Sequence, residues 1–296
     1  MRSSDGPGPR RSGAAKPRPA PFALERGGWP VLRTRLLTAA VAIPALWLIV
    51  WKLPAPLFAG FLLAVTASGL FEYFAMALPG EPAERAAGIV WGLVVGAGIV
   101  SRRPELWGAG LGLTVIGGLV FPLVRNDDLA GAVHRLGLTV LGVLYVGFVT
   151  PHIVLLRHGG PDGWRWVLFT VFVAMGSDSG GFFTGRAYGR RKLLPAVSPS
   201  KTVEGAAGAV AGAMLIAMLC RMIFFRRLAV EEALALAGAI SLLAQLGDLC
   251  ESALKRAFGA KDSGWIIPGH GGILDRLDSL LFPMVFVYYY TAFPRG

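Results

Sequence analysis

Residues 202–225 read T-V-E-G-A-A-G-A-V-A-G-A-M-L-I-A-M-L-C-R-M-I-F-F, with no charge between Glu204 and Arg221. A helix of about 20 such residues, rising ~1.5 Å per residue, crosses the ~30 Å hydrocarbon layer of a bilayer. Eight further stretches of this kind accompany it, at 36–51, 57–78, 86–100, 106–124, 136–156, 164–183, 229–249 and 279–293. Those at 86–100 and 279–293 are short, which flanking charges reaching the interface can accommodate. The expected fold is therefore all-α: a polytopic integral membrane protein of about nine transmembrane helices.

Composition agrees. Of 296 residues 54% are hydrophobic and only 16% charged, too oily for soluble domains. The net charge of +11 is not arranged as a basic stripe interleaved with aromatics, so nucleic acid is not an expected partner. With nine spans, 20 of the 29 Lys and Arg fall on the side of the amino terminus and 9 on the other. That bias puts the amino terminus and the main polar loops in the cytoplasm. Cys220 and Cys250 sit at the ends of apolar runs and are expected to be buried, inert thiols. Residues 1–30, rich in Pro, Gly, Ser and Arg, are expected to form a disordered basic cytoplasmic tail. An uncleaved first helix suits them better than a signal or transit peptide. Residues 31–160 follow as a transmembrane scaffold and 161–296 as the region that carries the chemistry.

That chemistry is concentrated at 252–278, S-A-L-K-R-A-F-G-A-K-D-S-G-W-I-I-P-G-H-G-G-I-L-D-R-L-D. Lys255, Arg256 and Lys261 offer cations for phosphate groups. Pro268, Gly269, Gly271 and Gly272 around His270 exclude regular helix and let backbone approach a ligand. Asp275 and Asp278, three residues apart, share one face of the helix that follows. Two carboxylates beside a basic loop describe a divalent-metal site that handles phosphates. Just upstream, Asp248, Glu251, Ser252 and Lys255 form one helical row. For Glu251 an ordinary ion pair with Lys255 and a functional role both stand open. In 177–208, Ser198, Ser200, Lys201 and Thr202 gather hydroxyls and a cation where a helix is expected to open, a place for a phosphate. Asp178, late in its span, needs a polar cavity or a partner. Arg190 to Lys192 are read as interfacial anchors, Glu72 as a carboxylate solvated at the interface, and Asp127 and Asp128 as a solvated loop. His134, His152 and His158 receive no role.

The order S-x-L-K-R-x4-K-D-x-G-x2-I-P-x-H-G-G-I-x-D-R-L-D, filled at every specified position from Ser252 to Asp278, resembles the defining motif of the phosphatidate cytidylyltransferases, also called CDP-diacylglycerol synthases. The 178–208 stretch resembles a second motif of that family, with Gly181 and Phe182 where the family usually has Ala and Tyr. The resemblance covers 177–283. It implies transfer of a cytidylyl group from CTP to phosphatidic acid within the bilayer, in a cavity of the carboxyl-terminal half facing the cytoplasm. It implies Asp248, Asp275, Glu251 and Asp278 as metal ligands, for magnesium with or without a second ion. Lys201 joins Asp248, Asp275 and Asp278 as a catalytic residue. Arg186, Ser198, Thr202, Ser252, Lys255, Arg256, Lys261, His270, Gly271 and Gly272 would bind substrate. A homodimer and a bacterial cytoplasmic membrane location are further implications. A cytidylyltransferase for a prenyl-ether lipid phosphate, or an ion-coupled transporter using the same acids, are the alternatives. No Ser-His-Asp arrangement, CxxC pair or Walker loop is present.

Overall fold

The computed structural model describes residues 43–125, 129–264 and 272–293. Ten α-helices run through these residues: α1 (Ile43–Lys52), α2 (Ala55–Ala77), α3 (Pro82–Val100), α4 (Pro104–Arg125), α5 (Leu129–Gly142), α6 (His152–Arg157), α7 (Gly163–Tyr188), α8 (Val203–Ile223), α9 (Val230–Ala257) and α10 (Leu274–Ala292). A π-helical turn, Val143–Phe148, joins α5 to α6, so that Ala130–Arg157 makes one 28-residue crossing. Prolines occupy the first turns of α2, α3 and α4, where a missing N–H has no intrahelical acceptor to lose. Among the described residues seven helices are long and apolar enough to cross a membrane; the protein is a polytopic, all-α membrane protein.

Several elements outrun their apolar runs. The crossing expected at 229–249 extends to Ala257; its 28 residues span about 42 Å, more than the ~30 Å hydrocarbon layer. Asp248, Glu251, Ser252 and Lys255 therefore ride the last turns of one continuous helix, where it leaves the apolar layer. Likewise the crossing expected at 164–183 runs on to Tyr188, and that expected at 279–293 begins at Leu274.

Between α7 and α8 lies a small antiparallel hairpin, β1 (Lys192–Leu194) and β2 (Ser198–Thr202). It corrects the expectation that Lys201 opens a helix. Lys201 belongs to β2, and the helix starts one residue after Thr202, whose hydroxyl accepts the Gly205 N–H at 3.1 Å as an N-cap.

Two apolar clusters fill the interior. One packs Phe58 and Leu62 of α2 with α7, α8, α9 and Met284 of α10; the other packs Leu70, Tyr73 and Phe74 of α2 with α3, the π turn and Leu274 and Leu281 of α10. Helices α2 and α10 thus belong to both. In a bilayer such contacts gain little from water exclusion, so close backbone approach supplies cohesion. Helices α7 and α8 show it: a Cβ on Gly180 would meet Gly212 Cα at 3.0 Å. Two expectations fail here. Cys220 is buried but Cys250 is exposed on α9, because it lies off the face that buries Gly247 and Glu251. Glu72, expected to be solvated, is only 2% exposed.

Candidate active site

The hairpin fixes the first part of the site. Glu204, in the first turn of α8, accepts the backbone N–H groups of Arg190 and Arg191 at 3.0 and 3.2 Å, and Lys192 Nζ donates to Pro199 O at 2.6 Å. The strand so held aims Lys201 at α9, where its ammonium lies 2.5 Å from Asp248 Oδ2. Ser252, one turn on, donates to Asp248 Oδ1 at 3.3 Å. Here α7, α8, α9 and the hairpin enclose a cavity of ≈ 470 Å³, lined among others by Asp178, Arg186, Ser200, Lys201, Thr202 and Asp248. That volume suits a small-molecule ligand. Its mouth carries Phe182, 60% exposed. Asp178 thus has the polar cavity that its depth demands. A second cavity, ≈ 530 Å³, sits at the other end of α10, beside Arg102, Trp107, His152 and Tyr288, and its described lining holds no carboxylate.

Helices α9 and α10 meet through Gly247, whose missing side chain lets the Asp278 carbonyl press against it. One turn further on, Glu251 and Asp278 face each other as electrostatic neighbours. Glu251 is 1% exposed; its Oε2 accepts Lys255 Nζ at 3.3 Å, while its Oε1 is buried with no donor other than the neighbouring Asp278 carboxyl. The ion pair left open by the sequence therefore exists, but it satisfies only half of the carboxylate. Asp178 belongs to the same group through Ser279, Asp278 and Asp248.

Asp275 holds the loop. Its Oδ1 accepts Lys255 Nζ at 2.6 Å, and its Oδ2 accepts the backbone N–H groups of Ser263 and Gly272, each at 3.0 Å. Behind it stands Glu72 of α2, accepting from Ile273 N at 2.9 Å, Leu274 N at 2.8 Å and Ser263 Oγ at 3.2 Å. Sequence reading passed over Glu72. Its one available signal was a lone carboxylate late in an apolar span.

Of the residues expected in the site, Lys201, Thr202, Arg186 and Asp248 meet in the cavity, and Ser252, Glu251, Lys255, Asp275, Asp278 and Gly272 adjoin it through α9 and α10. Ser198 instead pairs with Leu194 in the hairpin, and Ser200 takes the place at the cavity wall. Arg256 and Lys261 are exposed beside the loop. His270 and Gly271 lie outside the described residues.

The donor set suits magnesium. Carboxylate oxygens are the hard ligands it prefers. Asp178, Asp248, Glu251, Asp275 and Asp278 outnumber Lys201 and Lys255, and Glu251 Oε1 is a buried oxygen that no lysine or N–H group reaches. Among the described residues no three such side chains are arranged to hold a metal ion; Lys201 is paired with Asp248, and Lys255 with Glu251 and Asp275.

Fold and site together define a multi-span membrane protein that gathers carboxylates and lysines, the equipment of phosphate chemistry, at one end of its helix bundle. The chain belongs to the Cytidylyltransferase family, whose sequence model matches residues 33–293. It is similar to a protein of Brucella suis biovar 1 named phosphatidate cytidylyltransferase, 34% identical over 88% of this chain and 93% of that one. Proteins of the same name from Bacillus subtilis and Staphylococcus epidermidis are 40% and 39% identical, over 53% and 48% of this chain and 59% and 54% of their own lengths.

Proposed function

We propose that this protein transfers the cytidylyl group of CTP to phosphatidic acid. A lipid phosphate oxygen attacks the α-phosphorus of CTP, the bond from that phosphorus to the bridging oxygen of the β-phosphate breaks, and pyrophosphate leaves with CDP-diacylglycerol as the other product. The observation that carries this reading is the meeting of two lysine–carboxylate pairs, Lys201–Asp248 and Lys255–Asp275, at one end of the bundle beside a cavity of ≈ 470 Å³. A long relative named for this activity supports it.

The attacking group needs little help. A phosphate monoester has its second pKa near 6 and is largely a dianion at neutral pH, so no general base is required. The work left to the protein is bringing two anions together. Lys201, with Arg186, Ser200 and Thr202, holds phosphate at the cavity, and Lys255, Arg256, Lys261 and Ser252, with His270, Gly271 and Gly272, hold the nucleotide. Both sets position the reactants in line and offset charge developing on the leaving pyrophosphate. Asp248, Glu251, Asp275 and Asp278 would hold magnesium, which when bound neutralises the triphosphate. The site would face the cytoplasm, where CTP is found, in the cytoplasmic membrane of a bacterium, as the positive-inside bias and the bacterial relatives suggest. A homodimer remains part of the proposal.

Purified protein in mixed micelles should release pyrophosphate from CTP only when phosphatidic acid and magnesium are both present. Release with a prenyl-ether lipid phosphate and not with phosphatidic acid would move the reading to that substrate. No release with any lipid, from folded protein, would overturn it.

A further inference from the structure

Glu72 lies on α2, in the half of the chain that carries no motif, and its carboxylate is 2% exposed. Such burial is costly unless each oxygen is well bonded. Here both are: Oε1 accepts Ile273 N at 2.9 Å, and Oε2 accepts Leu274 N at 2.8 Å and Ser263 Oγ at 3.2 Å. Ile273 and Leu274 are the N-cap and first residue of α10. Ile273 has helical backbone angles and no side-chain cap of its own. Glu72 therefore caps α10 from 201 residues away in the chain, and its charge favours the positive end of that helix. The loop glycines are fitted to it. A Cβ on Gly264 would meet Glu72 Oε1 at 2.7 Å, and one on Gly272 would meet Oε2 at 2.5 Å.

We infer that Glu72 is a positioning residue for cytidylyl transfer: it sets the height and rotation of the start of α10, and so the place of Asp275 and of the loop strands at Ser263 and Gly272. Asp275 is one residue past Leu274 and shares Ser263 with Glu72, since Ser263 Oγ also receives the Asp275 N–H at 3.3 Å. Glu72 and Asp275 between them take the N–H groups of Gly272, Ile273 and Leu274. The amino terminus of α10 is thus filled by the chain's own carboxylates and is not the phosphate site; the lysines are. This inference rests on the transferase reading for its rate measurements and on geometry alone for its exchange measurement.

The test compares full-length Glu72→Ala and Glu72→Gln with the parent in mixed micelles. Glu72→Gln keeps shape and one acceptor oxygen but no charge. Expected for Glu72→Ala is a loss of kcat/KM for CTP of about 10–100-fold, the usual effect of removing a group that acts through a site residue. Glu72→Gln should fall between, and KM for phosphatidic acid should stay within about twofold of the parent. Hydrogen exchange should lose protection at the Ile273 and Leu274 amides, with α7 and α8 unchanged. Rates within about twofold of the parent, in folded Glu72→Ala, would overturn the inference. So would loss of protection throughout the molecule in both variants, which would make Glu72 a structural residue only. If the parent itself releases no pyrophosphate, the transferase reading fails while the exchange result still decides whether Glu72 holds the loop.

Discussion

Replacement of Asp275 by Asn tests the centre of the site with one atom. Every partner of this carboxylate is a donor: Lys255 Nζ at 2.6 Å on Oδ1, and the N–H groups of Ser263 and Gly272 at 3.0 Å on Oδ2. An amide has one accepting end and one donating end, so in either orientation its NH2 confronts donors. Turned to keep both backbone bonds, it forfeits a charge-assisted bond worth ~1.5–3 kcal/mol; turned to keep Lys255, it leaves two N–H groups unmet at ~1–3 kcal/mol each. The first is cheaper, so Asp275→Asn should lose ~2–3 kcal/mol of stability and remain folded. Turnover should fall by at least about 100-fold, since a charge at the reacting end is gone. Lys255→Met is harsher. It strips the cation from Asp275 and from Glu251, which is 1% exposed, and uncompensated buried charge costs ~3–5 kcal/mol. The double variant should cost less than the sum of the two. Thermal unfolding and pyrophosphate release on the same preparations provide the readout. Near-normal turnover in folded Asp275→Asn would refute its place among the metal ligands.

Lys201 and Asp248 are 24% and 32% exposed, so Lys201→Met should cost only ~1 kcal/mol of stability, while slowing turnover by about 10²–10³-fold; parental kcat would remove Lys201 from the phosphate site. Magnesium at 100 times its dissociation constant should stabilise the parent by ~2.7 kcal/mol in thermal unfolding. Glu251→Gln and Asp278→Asn should each lose most of that gain. A parent midpoint that ignores magnesium would discard the proposed ligand set.

The apolar runs announced the crossings because hydropathy and length are properties of consecutive residues, and the row Asp248, Glu251, Ser252, Lys255 was legible because one helix carries it. What joins different helices was not. Glu72 and Ile273 are 201 residues apart, and a lone carboxylate late in an apolar span does not say which helix it meets. The hairpin escaped because Ser198–Thr202 has the hydroxyls of a helix start, and only its pairing with Lys192–Leu194 turns it into a strand. Gly247 gave no signal either, being one small residue in an apolar helix until Asp278 is seen against it.

The two ion pairs bear on how one pocket receives two anions. Asp248 gives the Lys201 ammonium a partner at 2.5 Å. That partner also competes with a phosphate for the same ammonium. Substrate and cation binding should then be linked, because a cation on Asp248 releases Lys201 to phosphate, and the linkage must be reciprocal. Asp248→Asn separates binding from turnover. With the competing charge removed, Lys201 should bind a phosphate substrate more tightly in the absence of magnesium than it does in the parent. A partly solvated pair worth ~1 kcal/mol gives a gain of about fivefold in affinity, even as turnover collapses. Equilibrium binding of phosphatidic acid in magnesium-free micelles measures it. If Asp248→Asn binds the lipid less tightly than the parent under those conditions, Asp248 assists phosphate binding directly and the exchange of partners is wrong.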